Sequence, residues 1–343
     1  MYDTNAQAIG DKLQATSATF FSQDTIQSIL DLLPTSGVVV ADNVSGANNA
    51  TITPESGVNV VFIETSNTEQ TTLTVTGNTP AIFFQGNGGV DATIGTAPAP
   101  SATGNSSAAT VAGEEIARVV VGTAGADVIT IADGVNTQVV AGDKDTVVAG
   151  SGHTLVVAAQ GSSTVVGNDK TVVQAVGAED DFVVTTADGK ATIVNATTGV
   201  SVTMTDVDFV QLDGSDVLIF ADNAKQAAVA NLYHALLGRN ADAGGLDFWY
   251  DHADGTTTLH TIASGFLESA EYTAKDQDDA EFIDALYLGL FGRPADTAGE
   301  AYWLDRLDDG ASRADVATEF AEASVDGDEV DIVGTVTIID PAA

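Results

Sequence analysis

Residues 137–175 read TQVVAGDKDTVVAGSGHTLVVAAQGSSTVVGNDKTVVQA, with Val-Val pairs at Val139-Val140, Val147-Val148, Val156-Val157, Val165-Val166 and Val172-Val173. The pairs are separated by steps of 8, 9, 9 and 7 residues, with Gly, Asn or Asp between most of them. Short β-branched runs bounded by turn residues read as one strand and one turn each. A single unit of this size cannot bury a face. Units stacked in sequence can, with Val ladders filling the interior and turns lining the edges. The stretch therefore predicts a β-solenoid or β-roll-like body. A β-sandwich of short antiparallel strands is the alternative, because the steps are not constant.

Working outward, the chain is expected to be multidomain and mainly β. Residues 1–36 form a short N-terminal helical segment, since Ile9, Leu13, Phe20, Phe21, Ile26, Ile29, Leu30 and Leu33 recur at roughly helical spacing before Pro34 and Gly37. A β-rich region covers 37–94, where runs such as GVNVVFIET and TTLTVTG alternate with Gly and Asn turns. The small, polar, Pro-bearing stretch 95–113 reads as a linker, and 114–221 as the solenoid-like repeats, whose spacing loosens beyond Val183. From Asp222 the texture turns helical, giving an α-helical tandem-repeat domain at 222–325. A C-terminal β tail or export signal follows at 326–343.

Composition restricts the function classes. The 343 residues carry 11 Lys and Arg against 49 Asp and Glu, a formal net charge of −38. Such a surface repels nucleic acid and anionic membranes, and favours divalent cations with hard oxygen ligands, calcium above all. No Cys is present, which removes disulfides, thiolate catalysis and Cys-ligated metals. No apolar stretch approaches the roughly 18 residues of a membrane span, so no membrane insertion is expected. The N-terminus also lacks the basic and apolar regions of a cleaved signal.

Within the helical region, LLGRNADAGGLDFW at 236–249 returns as LFGRPADTAGEAYW at 290–303. At a constant offset of 54, Leu232, Tyr233, Gly238, Arg239, Asp242, Gly245, Trp249 and Phe266 match Leu286, Tyr287, Gly292, Arg293, Asp296, Gly299, Trp303 and Phe320. Gly238 and Gly292 suit the left-handed end of a helix, and Asp242 and Asp296 suit the cap of the next. Trp249 and Trp303 would pack the second helix against the first, while Arg239 and Arg293 would bond the capping Asp or helix-end carbonyls. The pattern reads as a repeated structural joint. The functional alternative is that its Asp-Gly loops take calcium, or its Trp faces a partner.

The pattern LYxALLGRxADxxGLxFW, followed by SGFLESAEY, resembles the helical domain of unknown function 4214, a module appended to secreted RTX-type, surface-layer and adhesin proteins. That resemblance covers roughly 222–325 and implies a cellular context rather than an activity. Residues 122–176 are similar to degenerate RTX repeats: in GTAGADVIT, Gly122, Gly125, Asp127 and Ile129 keep the nonapeptide register, with Thr123 at the second Gly position. In that family each turn Asp binds calcium between neighbouring rungs. The resemblance marks Asp127, Asp143, Asp145 and Asp169 as candidate calcium ligands.

No G-x-S-x-G, Walker loop, HExxH or dinucleotide fingerprint is present, and the four His are expected to be packed or solvated. We therefore expect a non-enzymatic extracellular protein that assembles with itself, as surface layer, filament or matrix, with calcium support and type I export. Outward Val residues of the pairs would meet neighbouring copies. Cell-surface polysaccharide is a further partner. The alternatives are a glycan-binding adhesin module and a β-helix polysaccharide-active enzyme, for which 119–176 supplies only Lys144 and Lys170 as Lys or Arg.

Overall fold

The computed structural model describes residues 1–16, 23–34, 38–95, 110–158, 160–326 and 336–338. The chain forms two compact units, Met1–Thr186 with Lys190–Ser215, and Asp216–Ala343 with the turn Ala187–Gly189.

The first unit is a β-solenoid whose coils each give one strand to each of two sheets. The first sheet takes Val39–Ser45, Val60–Glu64, Ala81–Gln85, Arg118–Val121, Thr137–Ala141, Thr154–Ala158, Thr171–Ala175 and Phe209–Gln211, all parallel. The second takes Ala50–Ile52, Thr71–Val75, Val90–Ile94, Val128–Ile131, Asp145–Val148, Ser162–Val166 and Ser201–Thr205, also parallel. Successive Val-Val pairs thus alternate between sheets, and the step of 7 to 9 residues is half a coil. Val119 lies opposite Gln138, Gln138 opposite Leu155 and Leu155 opposite Val172, so a coil takes 17 to 19 residues. The antiparallel sandwich is excluded by this pairing.

In-register stacking puts like on like. Thr137, Thr154 and Thr171 form one column, Val139, Val156 and Val173 a second, and Ala141, Ala158 and Ala175 a third. Phe62 stacks on Phe83 one coil away, ring centroids 5.2 Å apart. The two sheets differ in exposure. In the first, both members of each Val-Val pair are buried; in the second, Val147 and Val165 are buried while Val148 is half-buried and Val166 is 38% exposed.

The strands within 38–94 and 118–211 are parts of one solenoid: Val119 pairs with Ala81 and Ile129 with Ala92 across the intervening chain. Of the expected linker, residues 96–109 lie outside the described residues, and Thr110–Val111 pairs antiparallel with Glu114–Glu115. The loosened spacing after Val183 is an excursion, in which Lys190–Asn195 returns antiparallel to Ser201–Thr205. The N-terminal segment opens with a strand, Tyr2–Thr4, antiparallel to Val39–Ser45. Helices α1 (Ala6–Thr16) and α2 (Gln23–Asp31) follow, burying Ile9, Ile26 and Ile29. Phe20 and Phe21 lie outside the described residues.

The second unit carries a strand, Val217–Ala221, and α3 (Ala224–Leu232), which runs into a π-helical turn at Tyr233–Leu237. Then come α4 (Ala243–Asp254), α5 (Leu259–Glu268), α6 (Ala270–Thr273), α7 (Asp279–Phe291), α8 (Thr297–Asp308) and α9 (Arg313–Asp326). Helix α9 packs on α3 and α5, with Asn231 Nδ2 donating to Ser324 Oγ at 2.9 Å in the core. Of the C-terminal tail only Val336–Ile338 is described beyond Asp326, and it pairs parallel with Val217–Ala221. Among the described residues no helix is long and apolar enough to cross a membrane.

The two faces of a Val-Val pair give a direct check on the coil geometry. Val156→Asp places an unpaired carboxylate in a fully buried column and is expected to cost more than about 4 kcal/mol, whereas Val166→Asp should stay within about 0.5 kcal/mol. Thermal unfolding followed by circular dichroism measures both; equal losses would contradict the alternation.

Candidate functional site

Two of the sequence-predicted acids, Asp127 and Asp145, come together one coil apart on the second sheet, and both are fully buried. Asp127 accepts from the Val90 N–H at 2.7 Å in the neighbouring coil, and from Thr123 through both its N–H (2.5 Å) and its Oγ1 (2.7 Å). The Asp127 N–H in turn donates to Asp145 Oδ1 at 2.9 Å, and the Gly142 N–H donates to Asp145 Oδ2 at 2.6 Å. Each carboxylate thus ties its own turn to the coil beside it. Gly122 makes room for this: a Cβ there would sit 2.2 Å from Asp127 Oδ2.

Asp127 and Asp145 are two of the acids expected to hold calcium. The ion needs six to eight converging oxygens at about 2.3–2.6 Å, and the oxygens of Asp127 and Asp145 are already engaged by N–H and O–H donors. Thr123, standing where the nonapeptide has glycine, supplies two of those donors. Asp143 and Asp169 are exposed at other turns. Asp143 Oδ1 accepts from Ser162 N–H at 3.0 Å and Oγ at 3.3 Å, and its other oxygen lies 3.5 Å from Lys144 Nζ. Among the described residues, no three acidic or His side chains of the solenoid alone converge on one point.

Burial raises the carboxyl of Asp127, against the hydrogen bonds from Thr123 and Val90. It pushes Asp145 up to about 7, with the neighbouring charge of Asp127 adding to the effect. One coil further on, the position paired with Asp145 is Ser163, whose buried hydroxyl has no hydrogen-bond partner.

A second buried charge escaped the sequence reading. Arg118, 1% exposed, holds Asp133 through Nη1 at 3.0 Å and Nη2 at 2.6 Å, and its Nε and Nη2 reach Thr137 Oγ1 at 3.2 and 3.0 Å. Gly95, at φ +82°, lies against the pair, where a Cβ would fall 1.7 Å from Asp133 Oδ2. The available signal was a lone Arg opening the apolar strand RVVV.

In the helical unit the joint residues do what their types suggest. Gly238 and Gly292 adopt the left-handed conformation at φ 71° and 60°, and their N–H groups cap the preceding helix. Asp242 accepts from the Gly245 N–H at 2.9 Å; Asp296 accepts from Ala298 (3.1 Å) and Gly299 (2.9 Å). Gly245 and Gly299 are needed because a Cβ would lie 2.3 and 2.5 Å from the hydroxyls of Tyr233 and Tyr287. Trp249 stacks on Phe266 at 4.8 Å and Trp303 meets Phe320 at 4.7 Å, each Phe lying edge-on to the Tyr of its own repeat.

The copies differ in their arginines. Arg239 lies over the Tyr233 ring, bonds Asn240 O and Asp242, and grips Glu271 with Nε and Nη2 at 2.7 and 2.9 Å. Arg293 keeps the ring contact and a 3.9 Å approach to Asp296, but Val325 stands where the repeat would put a second Glu271. Both copies hold one aromatic outward: Phe248 is 52% exposed and Tyr302 55%. The four His lie apart, His234 on Asn240, His252 on the Phe248 carbonyl, His260 on Asp315 and His153 in a coil.

Two stability measurements test the buried charges. The folded chain keeps a proton on Asp145 between pH 3.8 and about 7 that the unfolded chain releases. Stability should therefore fall as pH rises through that window and level off above it. The slope should survive high salt, which screens surface repulsion but not a buried group, and Asp145→Asn should flatten it. Separately, Asp133→Ala strands Arg118 and should cost about 3–5 kcal/mol, while Arg118→Met with Asp133→Ala should recover much of the loss.

With this geometry in place, comparison with known families is specific to the helical unit. No curated protein and no solved structure matches the chain. Residues 220–275 and 263–325 each match the family model described as Domain of unknown function (DUF4214), so the duplicated joint corresponds to two tandem matches to one family model.

Proposed function

We propose that the protein is a non-enzymatic extracellular structural protein that assembles with itself on or near a bacterial cell surface, as a surface layer, filament or matrix, after type I export. One observation carries this reading: in a chain of net charge −38, the solenoid leaves the outward side of its second sheet accessible and almost free of charge. The likeness of the helical unit to a module found in secreted and surface-layer proteins supplies the setting. The joint residues Arg239, Asp242 and Trp249 are engaged in contacts that hold helices together, which suits a scaffold.

Calcium enters this reading between molecules. Asp127 and Asp145 are occupied inside the coil, so the exposed turn acids, Asp143 and Asp169 among them, are the groups a divalent counter-ion would neutralise. Cell-surface polysaccharide remains a partner of the second reading, a glycan-binding adhesin, which the outward Phe248 and Tyr302 favour.

Electron microscopy of the purified protein with millimolar calcium and with chelator tests the proposal. Ordered sheets or fibres that loosen on chelation are expected. Monodisperse particles in both conditions would overturn it, and saturable binding of a neutral glycan by those particles would install the adhesin reading in its place.

A further inference from the structure

The outward face of the second sheet is a two-dimensional array. One column runs through Thr74, Thr93, Thr130, Val148, Val166 and Thr205, each opposite the next in register. The adjacent column runs through Asp91, Val128, Thr146, Thr164 and Thr203. All of these side chains are exposed or half-buried; Asp91 is the one charged group in the two columns, and exposed Lys190 lies beside Thr205 on the adjoining antiparallel strand. The parallel coil spaces the rows at about 4.8 Å, and β-branched side chains hold χ1 tightly. The face is therefore regular and rigid as well as poor in charge.

Its chemistry selects the occupant. A surface of methyl and hydroxyl groups gives a charged partner nothing to pair with, and no aromatic ring in these columns offers a platform to a sugar. A second copy is different. Copies with a net charge of −38 repel, and contact through a nearly uncharged face minimises that cost. Two identical in-register faces of small β-branched residues can interdigitate as paired sheets do, and self-complementarity of one patch is what a two-fold contact requires.

We propose that this face is the contact between copies of the chain, joined face to face through the Thr and Val columns of the second sheet. The proposal rests on the self-assembly reading above and names the surface that reading uses. Seven strands and about four residues of width present on the order of 400 Å² per copy. Stable complexes bury about 800 Å² per partner. The contact is thus weak between free molecules and effective where copies are crowded or already ordered, which makes it a lateral contact of an array.

The test is sedimentation velocity over a concentration series on the full chain, with calcium. Thr164→Asp with Val166→Asp places two carboxylates on the face, both at exposed positions. Val38→Asp with Val176→Asp adds the same charge at exposed sites elsewhere. Like charges brought together across an interface cost several kcal/mol, and each 1.4 kcal/mol is tenfold. The face variant should therefore associate at least about tenfold more weakly than the parent, with an unchanged far-ultraviolet spectrum, and the control should stay within about twofold. A face variant that associates like the parent would overturn the proposed surface and leave self-assembly standing. A parent that stays monomeric at every concentration would remove both.

Discussion

Everything in the solenoid follows from parallel stacking in register. When each coil is laid on the last with strands about 4.8 Å apart, a residue's environment is set by its counterparts above and below. A change of volume in one coil is felt in two others. The chain answers by repeating: Val139, Val156 and Val173 stack, as do the Thr and Ala columns either side. Interiors packed at crystal-like density tolerate little variation. Where a larger residue enters, its neighbour changes with it, as Phe62 and Phe83 do. The constraint also explains why the antiparallel excursion around Lys190–Asn195 leaves between two strands of the coil, where no column is interrupted.

Corners are where this regularity meets polar backbone. Each turn leaves N–H groups that a dry coil edge cannot hydrate, and Asp127 and Asp145 satisfy several of them. A buried carboxylate is costly on its own, so the arrangement trades its desolvation against several backbone donors. Arg118 and Asp133 resolve the same problem with a pair. A nonapeptide-type turn reaches a similar end by sharing its acids with a cation. Here the Thr123 hydroxyl and amide donate to Asp127, and these hydrogen bonds close the turn.

Much of this was legible from residue order. The Val-Val period identified the coils because stacking forces repetition, and the joint motifs were readable because caps and left-handed glycines act within four residues. The unity of 38–94 with 118–211 was hidden by the insertion, and by early strands such as Ala81–Gln85 that carry no Val-Val pair. The N-terminal strand Tyr2–Thr4 is too short to announce itself. Candidate acids were visible as acids, but not as buried or exposed: Asp143 and Asp145 are two residues apart and face opposite environments. Glu271 lies 32 residues from Arg239, and Asp133 is 15 from Arg118. Such partners are set by the fold and leave no local mark.

The asymmetry between the two sheets connects architecture to use. A strand with one face in water ordinarily alternates apolar with charged or polar residues, and this chain has abundant carboxylates to spend. On the outer face of the seven parallel strands it spends one, Asp91, and otherwise places Thr, Ser or Val, with Lys190 following on the adjoining antiparallel strand. Strand propensity favours those residues, but it does not disfavour occasional Lys or Glu strongly enough to empty a face seven strands long. Meanwhile exposed edges and flat faces are liabilities that proteins blunt with charge. A highly charged chain that withholds charge from one flat face has left that face able to meet a neighbour. Under the proposed contact, the charge carried elsewhere would act as the limit on association, disfavouring approach through the more highly charged surfaces.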